Sequence, residues 1–360
     1  LIPAAASDVT PEWMTDVLRS SGALASGTVR GFTRDRIGEG IGIMGELHRF
    51  QIDYDGDAAG APGAVVVKLP SPFEANRAQG VGLGMYEAEV GFYRDLAAST
   101  PVRTPVCHRA EIRPGTADFV VVLEDLSGLE VADQVRGMSL EQAEAATLAL
   151  ATLHAAWWER VGDLEWVPSV VHPRIEAMAG MWPDLWPAFV ANFGDRLSPA
   201  GLAAGERVRD SYWSLMSALG RRPWTLLHQD FRCDNMFFDA AVDGADGVVV
   251  IDWQSIGRGP GAYDLAYLLG GSLTVDDRRE HEERLVRAYR ERAGELGVAG
   301  LGFDELWSDY RMAHLVGTAV PVLTGATFDL ANERGGALIG TLSERHFAAV
   351  VDLDATALIP

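Results

Sequence analysis

The stretch His228-Gln229-Asp230-Phe231-Arg232-Cys233-Asp234-Asn235, followed one hairpin later by Val248-Val249-Val250-Ile251-Asp252-Trp253, decides how this chain is read. An aspartate and an asparagine five residues apart flank a loop, so the Asp230 carboxylate is placed to orient and deprotonate a hydroxyl while the Asn235 amide oxygen faces a metal ion. Asp252 stands at the end of an apolar strand, where its carboxylate emerges beside that loop and offers a hard oxygen ligand suited to magnesium. Each residue alone has a plainer explanation, because Asp and Asn are common in ordinary turns. Their order and spacing weigh against that explanation.

Working outward, an apolar and polar alternation over 45–54, a Gly/Ala/Pro turn at 55–63 and the run Val65-Val66-Val67-Lys68 predict a hairpin. Lys68 is the only lysine of the chain, and it ends a β-branched strand, which marks it for more than surface decoration. Upstream, Gly38, Gly40 and Gly42 stand at alternate positions, a spacing that lets backbone amides approach phosphate oxygens. Helical spacing over 86–98 carries two candidate partners for the lysine, Glu87 and Glu89, on different faces. A buried strand is expected at 119–123.

Beyond 126 the pattern turns helical. Ser139 and Gln142 form a capping box for a long helix, and further helices are expected near 173–193, 199–219, 260–272, 276–296, 303–323 and 341–353. One strand pair, 235–239 with 247–252, interrupts them. The aromatic concentration Trp166, Trp182, Trp186, Phe189, Phe193 and Trp213 is expected to fill helical core rather than line a pocket. His154 is expected in the core, and Cys233, being in the loop, is expected to expose the site to thiol reagents.

Taken together these motifs resemble the aminoglycoside phosphotransferase and choline-kinase-like family, with Gly38 to Leu47, Leu123-Glu124-Asp125-Leu126 and Ile251-Asp252-Trp253-Gln254 suggesting its ecdysteroid-kinase-like branch. The resemblance implies an α+β, protein-kinase-like two-lobed fold. A small antiparallel-sheet lobe would span 1–126, and a larger, mostly helical lobe 127–360. It implies a small-molecule kinase using ATP and Mg2+. Asp230 would act as base, Asn235 and Asp252 as metal ligands, and Lys68 on the phosphates with Glu89 as the favoured partner. The backbone of Glu124 to Leu126 would read adenine, without distinguishing ATP from GTP. It also makes His228 a brace of the loop and Asp264 a structural cap on the helix that follows.

Departures from protein kinases bear on the acceptor. Trp253-Gln254 replaces Phe-Gly after the metal-binding aspartate, no Ala-Pro-Glu follows, and Gly257 to Ala266 runs directly into a helix. A small-molecule hydroxyl acceptor is therefore expected over a protein. The rivals are a nucleotide-binding regulatory protein without transfer activity and a protein kinase. Composition narrows the partners. With 30 basic against 51 acidic residues the net charge is -21, which repels nucleic acid and anionic membrane surfaces. Two cysteines are no disulfide framework, no apolar run approaches membrane-spanning length, and residues 1–8 do not read as a secretory signal, so a cytoplasmic location is expected.

Overall fold

The computed structural model describes residues 2–38, 44–221, 223–327 and 333–360. The chain divides into two compact units: residues 1–99, 104–129 and 251–255 form the first, and 100–103, 130–250 and 256–360 the second. The join expected at 126 lies three residues before the end of the first unit's second stretch.

In the first unit, α1 (Pro11–Ser20) begins where the Thr10 side chain accepts a bond from the Trp13 amide and Pro11 occupies the first turn. Among the described residues, β1 (Thr28–Ile37), β2 (Gly45–Asp55), β3 (Ala64–Pro70), β4 (Cys107–Ile112) and β5 (Phe119–Glu124) form one antiparallel sheet in the order β1-β2-β3-β5-β4. The pleat of β3 sorts its side chains. Val65, Val67 and Leu69 join a core with Met14, Val17 and Leu18 of α1 and with Phe50, Val120 and Val122. Lys68 therefore points to the opposite face, in register with Leu47 and Val121. That face meets α3 (Met85–Gly91), where Tyr86 stacks on Phe119 at 4.5 Å, and α2 (Glu74–Leu83) packs against α3. The expected helix over 86–98 is α3 extended by a π turn at Phe92–Leu96, in which Phe92 is fully buried.

The second unit is mostly helical. β6 (Glu130–Val131) precedes α4 (Leu140–Trp157), which opens on the predicted capping box: the Gln142 amide donates to Ser139 Oγ at 3.2 Å and the Ser139 amide to Gln142 Oε1 at 3.0 Å. The region expected as one helix over 173–193 is two, α5 (Pro173–Ala179) and α6 (Trp182–Phe193), broken at Gly180-Met181. After α7 (Pro199–Leu219) come β7 (Thr225–Leu227), β8 (Met236–Phe238), β9 (Val248–Val250) and β10 (Gly257–Gly259). They pair as β10-β7 and β6-β8-β9. The remainder is α8 (Ala262–Ser272), α9 (Val275–Glu295), α10 (Phe303–Gly317), α11 (Ala319–Thr327) and α12 (Glu333–Asp352). Trp182, Trp186, Phe189 and Phe193 are buried, so these four fill core as expected; Trp166 is 43% exposed.

α8 is buried along nearly its whole length and carries Gly270 and Gly271 where the His314 and His346 rings pack. Both histidines are fully buried, and no hydrogen-bond partner reaches their ring nitrogens among the described residues. Burial, with the neighbouring guanidiniums of Arg345 and Arg278, lowers the His346 pKa from 6.5 to about 3; His314 moves the same way, through burial and the neighbouring His346 and Arg278. The folded chain thus binds fewer protons than the unfolded chain between those values. Stability is fully present above about pH 6.5 and falls as pH drops toward 3. By pH 5 the His346 contribution lost is about 2 kcal/mol. Thermal unfolding followed from pH 7.5 to 5 checks this: Tm should fall steeply in the native chain and less in His346→Phe, and parallel curves would refute it.

Candidate active site

Lys68 meets two carboxylates. Its Nζ donates to Glu89 Oε1 at 2.9 Å, lies 2.7 Å from Glu89 Oε2, and donates to Asp252 Oδ1 at 2.9 Å. Burial works against the ammonium charge, but Asp252 and Glu89 outweigh it and leave the Lys68 pKa raised. Glu87 is turned away, accepting a bond from the Gly115 amide at 2.9 Å. The pair left open between Glu87 and Glu89 is thereby resolved in geometry. Gly45 explains how β2 clears the lysine stem, since a Cβ there would lie 2.9 Å from Leu69 O and 3.4 Å from Lys68 Cε.

Asp252 is held by more than the lysine. Its φ is +64°, an unusual conformation for a non-glycine residue, and its Oδ2 accepts from Gln254 Nε2 at 3.2 Å. Trp253 follows, fully buried, its ring stacked on Phe92 of the π turn at 3.7 Å and 3°. One helix thus supplies both the carboxylate that holds Lys68 and the ring that seats the residue after Asp252.

In the second unit the 228–235 loop is braced from several sides. The amides of His228 and Gln229 both donate to the Asp264 carboxylate, at 2.7 and 2.9 Å, and Asp264 also faces His154 Nε2 at 3.3 Å. Asp264 is fully buried inside α8 and clamps the loop; the expectation of a helix cap is corrected, because the cap position is Gly261. His228 is buried and its Nδ1 accepts from the Asp230 amide at 3.3 Å, a bracing geometry. Gln229 has φ +62° and packs its side-chain amide against Gly257, where a Cβ would come within 2.6 Å.

Both oxygens of Asp230 are engaged. Oδ1 accepts from Arg232 Nε at 3.0 Å and Oδ2 from Asn235 Nδ2 at 2.8 Å. Asn235 Nδ2 also donates to the Asp230 carbonyl at 2.9 Å, so two oxygen acceptors fix the amide orientation and leave Oδ1 as the group available to a cation. Burial opposes the Arg232 charge, and the Asp230 and Asp234 carboxylates more than offset it. Cys233 is fully buried, donates to Gln134 Oε1 at 3.1 Å and is pushed up to about 12 by burial. The expected thiol-reagent sensitivity is corrected accordingly, since a buried, protonated thiol is inert.

Among the remaining predicted residues, Glu124 donates its amide to Val106 O at 2.8 Å and Leu126 is buried. That Glu124 N–H is therefore already committed within the sheet. Gly38 has φ +69°, while Gly40 and Gly42 lie outside the described residues. The Asp252 carboxylate of the first unit and the Asn235 amide oxygen of the second are each hard oxygen donors of the kind that suits magnesium. Among the described residues no cluster of three or more His, Cys, Asp or Glu is placed to hold a metal, and no helix is long and apolar enough to cross a membrane. Sequence reasoning missed Arg232 and Asp234. The signal was available, as a basic residue between two aspartates in HQDFRCDN. For Gln134, 100 residues upstream, none existed.

Comparison with known proteins places this geometry in a family. No curated protein matches the chain in sequence. Among solved structures, a Ralstonia eutropha protein designated an aminoglycoside phosphotransferase is 14% identical, covering 94% of this chain and 97% of its own, with a TM-score of 0.52. The microcompartment-associated aminopropanol kinase is 15% identical over 96% and 98%, TM-score 0.51. Aminoglycoside 2'-phosphotransferase-IIIa in its GDP complex is 16% identical over 94% and 99%, TM-score 0.50. At such identities the likeness shows the fold, the α+β protein-kinase-like fold that the motifs imply. The profile described as the phosphotransferase enzyme family matches residues 56–301, well over half of the sequence, and the chain belongs to that family.

Proposed function

We propose that this phosphotransferase is an ATP- and magnesium-dependent small-molecule kinase, active in the cytoplasm, that transfers the γ-phosphoryl group to a hydroxyl of its acceptor. The observation that carries the reading is the only lysine of the chain, buried between Glu89 and Asp252. A buried ammonium with two carboxylates is a costly arrangement for stability alone, since replacing such groups by apolar ones is often neutral or better. It is well suited to neutralising phosphate oxygens.

In this mechanism Lys68 engages the α- and β-phosphates and Glu89 fixes its reach. Gly38, with Gly40 and Gly42, belongs to the phosphate loop, and the backbone from Glu124 to Leu126 reads the adenine edge through groups other than the Glu124 amide. Asn235 and Asp252 would hold magnesium, which when bound neutralises charge on the β- and γ-phosphates. Asp230, its carboxylate plane set by Arg232 and Asn235, accepts the hydrogen bond of the incoming hydroxyl and takes its proton as the new oxygen–phosphorus bond forms and the γ-phosphorus bond to the bridging oxygen breaks, releasing ADP. Residues 1–126 would act as the nucleotide lobe and 127–360 as the acceptor lobe. The chain after Asp252 favours a small acceptor over a protein: a short turn at Trp253–Ser255 and the three residues of β10 lead straight into α8.

The test is ADP release with magnesium and ATP, then GTP, across amino alcohols, aminoglycosides, sugars and sterol-type alcohols. One acceptor class should stimulate turnover; tight nucleotide binding with no turnover on any acceptor would instead favour a regulatory protein. The Glu89 assignment makes its own prediction. Glu89→Gln should raise the ATP KM by about tenfold or more through loss of a buried charge partner, whereas Glu87→Gln, which loses only a bond to the Gly115 amide, should change it less than twofold. Equal effects in steady-state kinetics would contradict the assignment.

A further inference from the structure

The hydrogen bonds of the 230–235 loop continue into α12. Asp234 directs its carboxylate two ways, Oδ2 accepting from Arg232 Nη1 at 2.9 Å and Oδ1 from the Gln134 amide at 3.0 Å. Gln134 sits in a turn yet is only 1% exposed. Its Oε1 accepts from Cys233 Sγ at 3.1 Å and from the Asp234 amide at 3.4 Å, and its Nε2 donates to Gly271 O at 2.6 Å. Its own carbonyl accepts from Arg345 Nη1 at 2.7 Å. Arg345 donates further to Gly271 O at 2.9 Å and, through Nη2, to Val135 O at 3.0 Å.

Arg345 is buried, and burial lowers its pKa. A guanidinium is expensive to desolvate, and an apolar side chain would anchor α12 at less cost. What the planar fork supplies is a fixed position for three carbonyls at once, those of Gln134, Val135 and Gly271. The links beyond it, Asp234 to Arg232 and Arg232 to Asp230, are charge-assisted and partly buried, where such bonds are short and directional. Arg345 lies outside residues 56–301, the part of the chain that the family profile covers. Family membership therefore does not supply it.

We propose that Arg345 is a positioning residue for phosphoryl transfer, holding the Asp230 carboxylate in place through Gln134, Asp234 and Arg232. The inference rests on the role assigned to Asp230 above. If it holds, loosening the far end misaligns the carboxylate against the hydroxyl, which costs turnover and leaves nucleotide binding intact.

The experiment compares Arg345→Met, Arg345→Lys, Asp234→Asn and the Arg345→Met/Asp234→Asn double variant with the native chain, beside Asp230→Asn. Readouts are kcat for ADP release with the most stimulating acceptor, basal ATP hydrolysis, the ATP KM and Tm. Arg345→Met and Asp234→Asn should each lower kcat by about tenfold with the ATP KM within about twofold. Arg345→Lys should recover part of the loss. The double variant should lose no more than the worse single one, because both act on one relay. Wild-type kcat in the folded variants well below their Tm would overturn the proposal, as would losses that multiply in the double variant. Should Arg345→Met not fold, Arg345→Lys and Asp234→Asn decide the matter. An active Asp230→Asn would instead refute the catalytic reading itself, so the two failures are distinguishable.

Discussion

Asp230→Asn lowers kcat by about 10²- to 10⁴-fold while the ATP dissociation constant stays within a few-fold of the native value. The substitution keeps the size of the side chain and one acceptor oxygen, so either the Arg232 bond or the Asn235 bond survives. What it removes is the group able to take the hydroxyl proton, and a positioned base contributes roughly that range of rate. Rapid-quench turnover together with equilibrium nucleotide binding separates the two effects. Loss of binding in parallel with turnover would mean that Asp230 holds the loop rather than the acceptor.

Asp252→Asn should be comparably severe, lowering kcat/KM by about 10²- to 10³-fold, the scale of losing one preorganised electrostatic group. Two losses coincide: Lys68 keeps Glu89 as its one charged partner of the two, and the anionic oxygen suited to magnesium disappears. Raising magnesium tenfold should recover only part of the activity, and the half-saturating magnesium concentration should rise. An unchanged magnesium dependence in a folded variant would remove Asp252 from metal binding.

Much of this site is legible in the sequence because its signals are local. The Asp230 to Asn235 spacing, the apolar run before Asp252, the strand ending on Lys68 and the Ser139/Gln142 capping box each lie within a few residues, where pattern and chemistry coincide. Asp264 shows the limit. In sequence it looks like a helix-terminal aspartate, but its carboxylate binds amides 35 and 36 positions away. Gln134 and Arg345 are invisible for the same reason, since what identifies them is whom they touch after folding. β1 shows little burial alternation and is a strand because β2 pairs with it, and α2 hides behind Gly80 and Gly82, both poor helix formers. Gly80 has a packing reason, as a Cβ there would lie 2.6 Å from the Tyr86 ring.

The most direct measurement of the central claim is phosphorus NMR of a reaction containing magnesium, ATP and the acceptor that most stimulates ADP release. A phosphomonoester resonance should appear on the acceptor in a one-to-one ratio with ADP, and both should form at least about a hundredfold more slowly with Asp230→Asn. Inorganic phosphate in place of the ester, or ester formation undiminished in Asp230→Asn, would contradict the account.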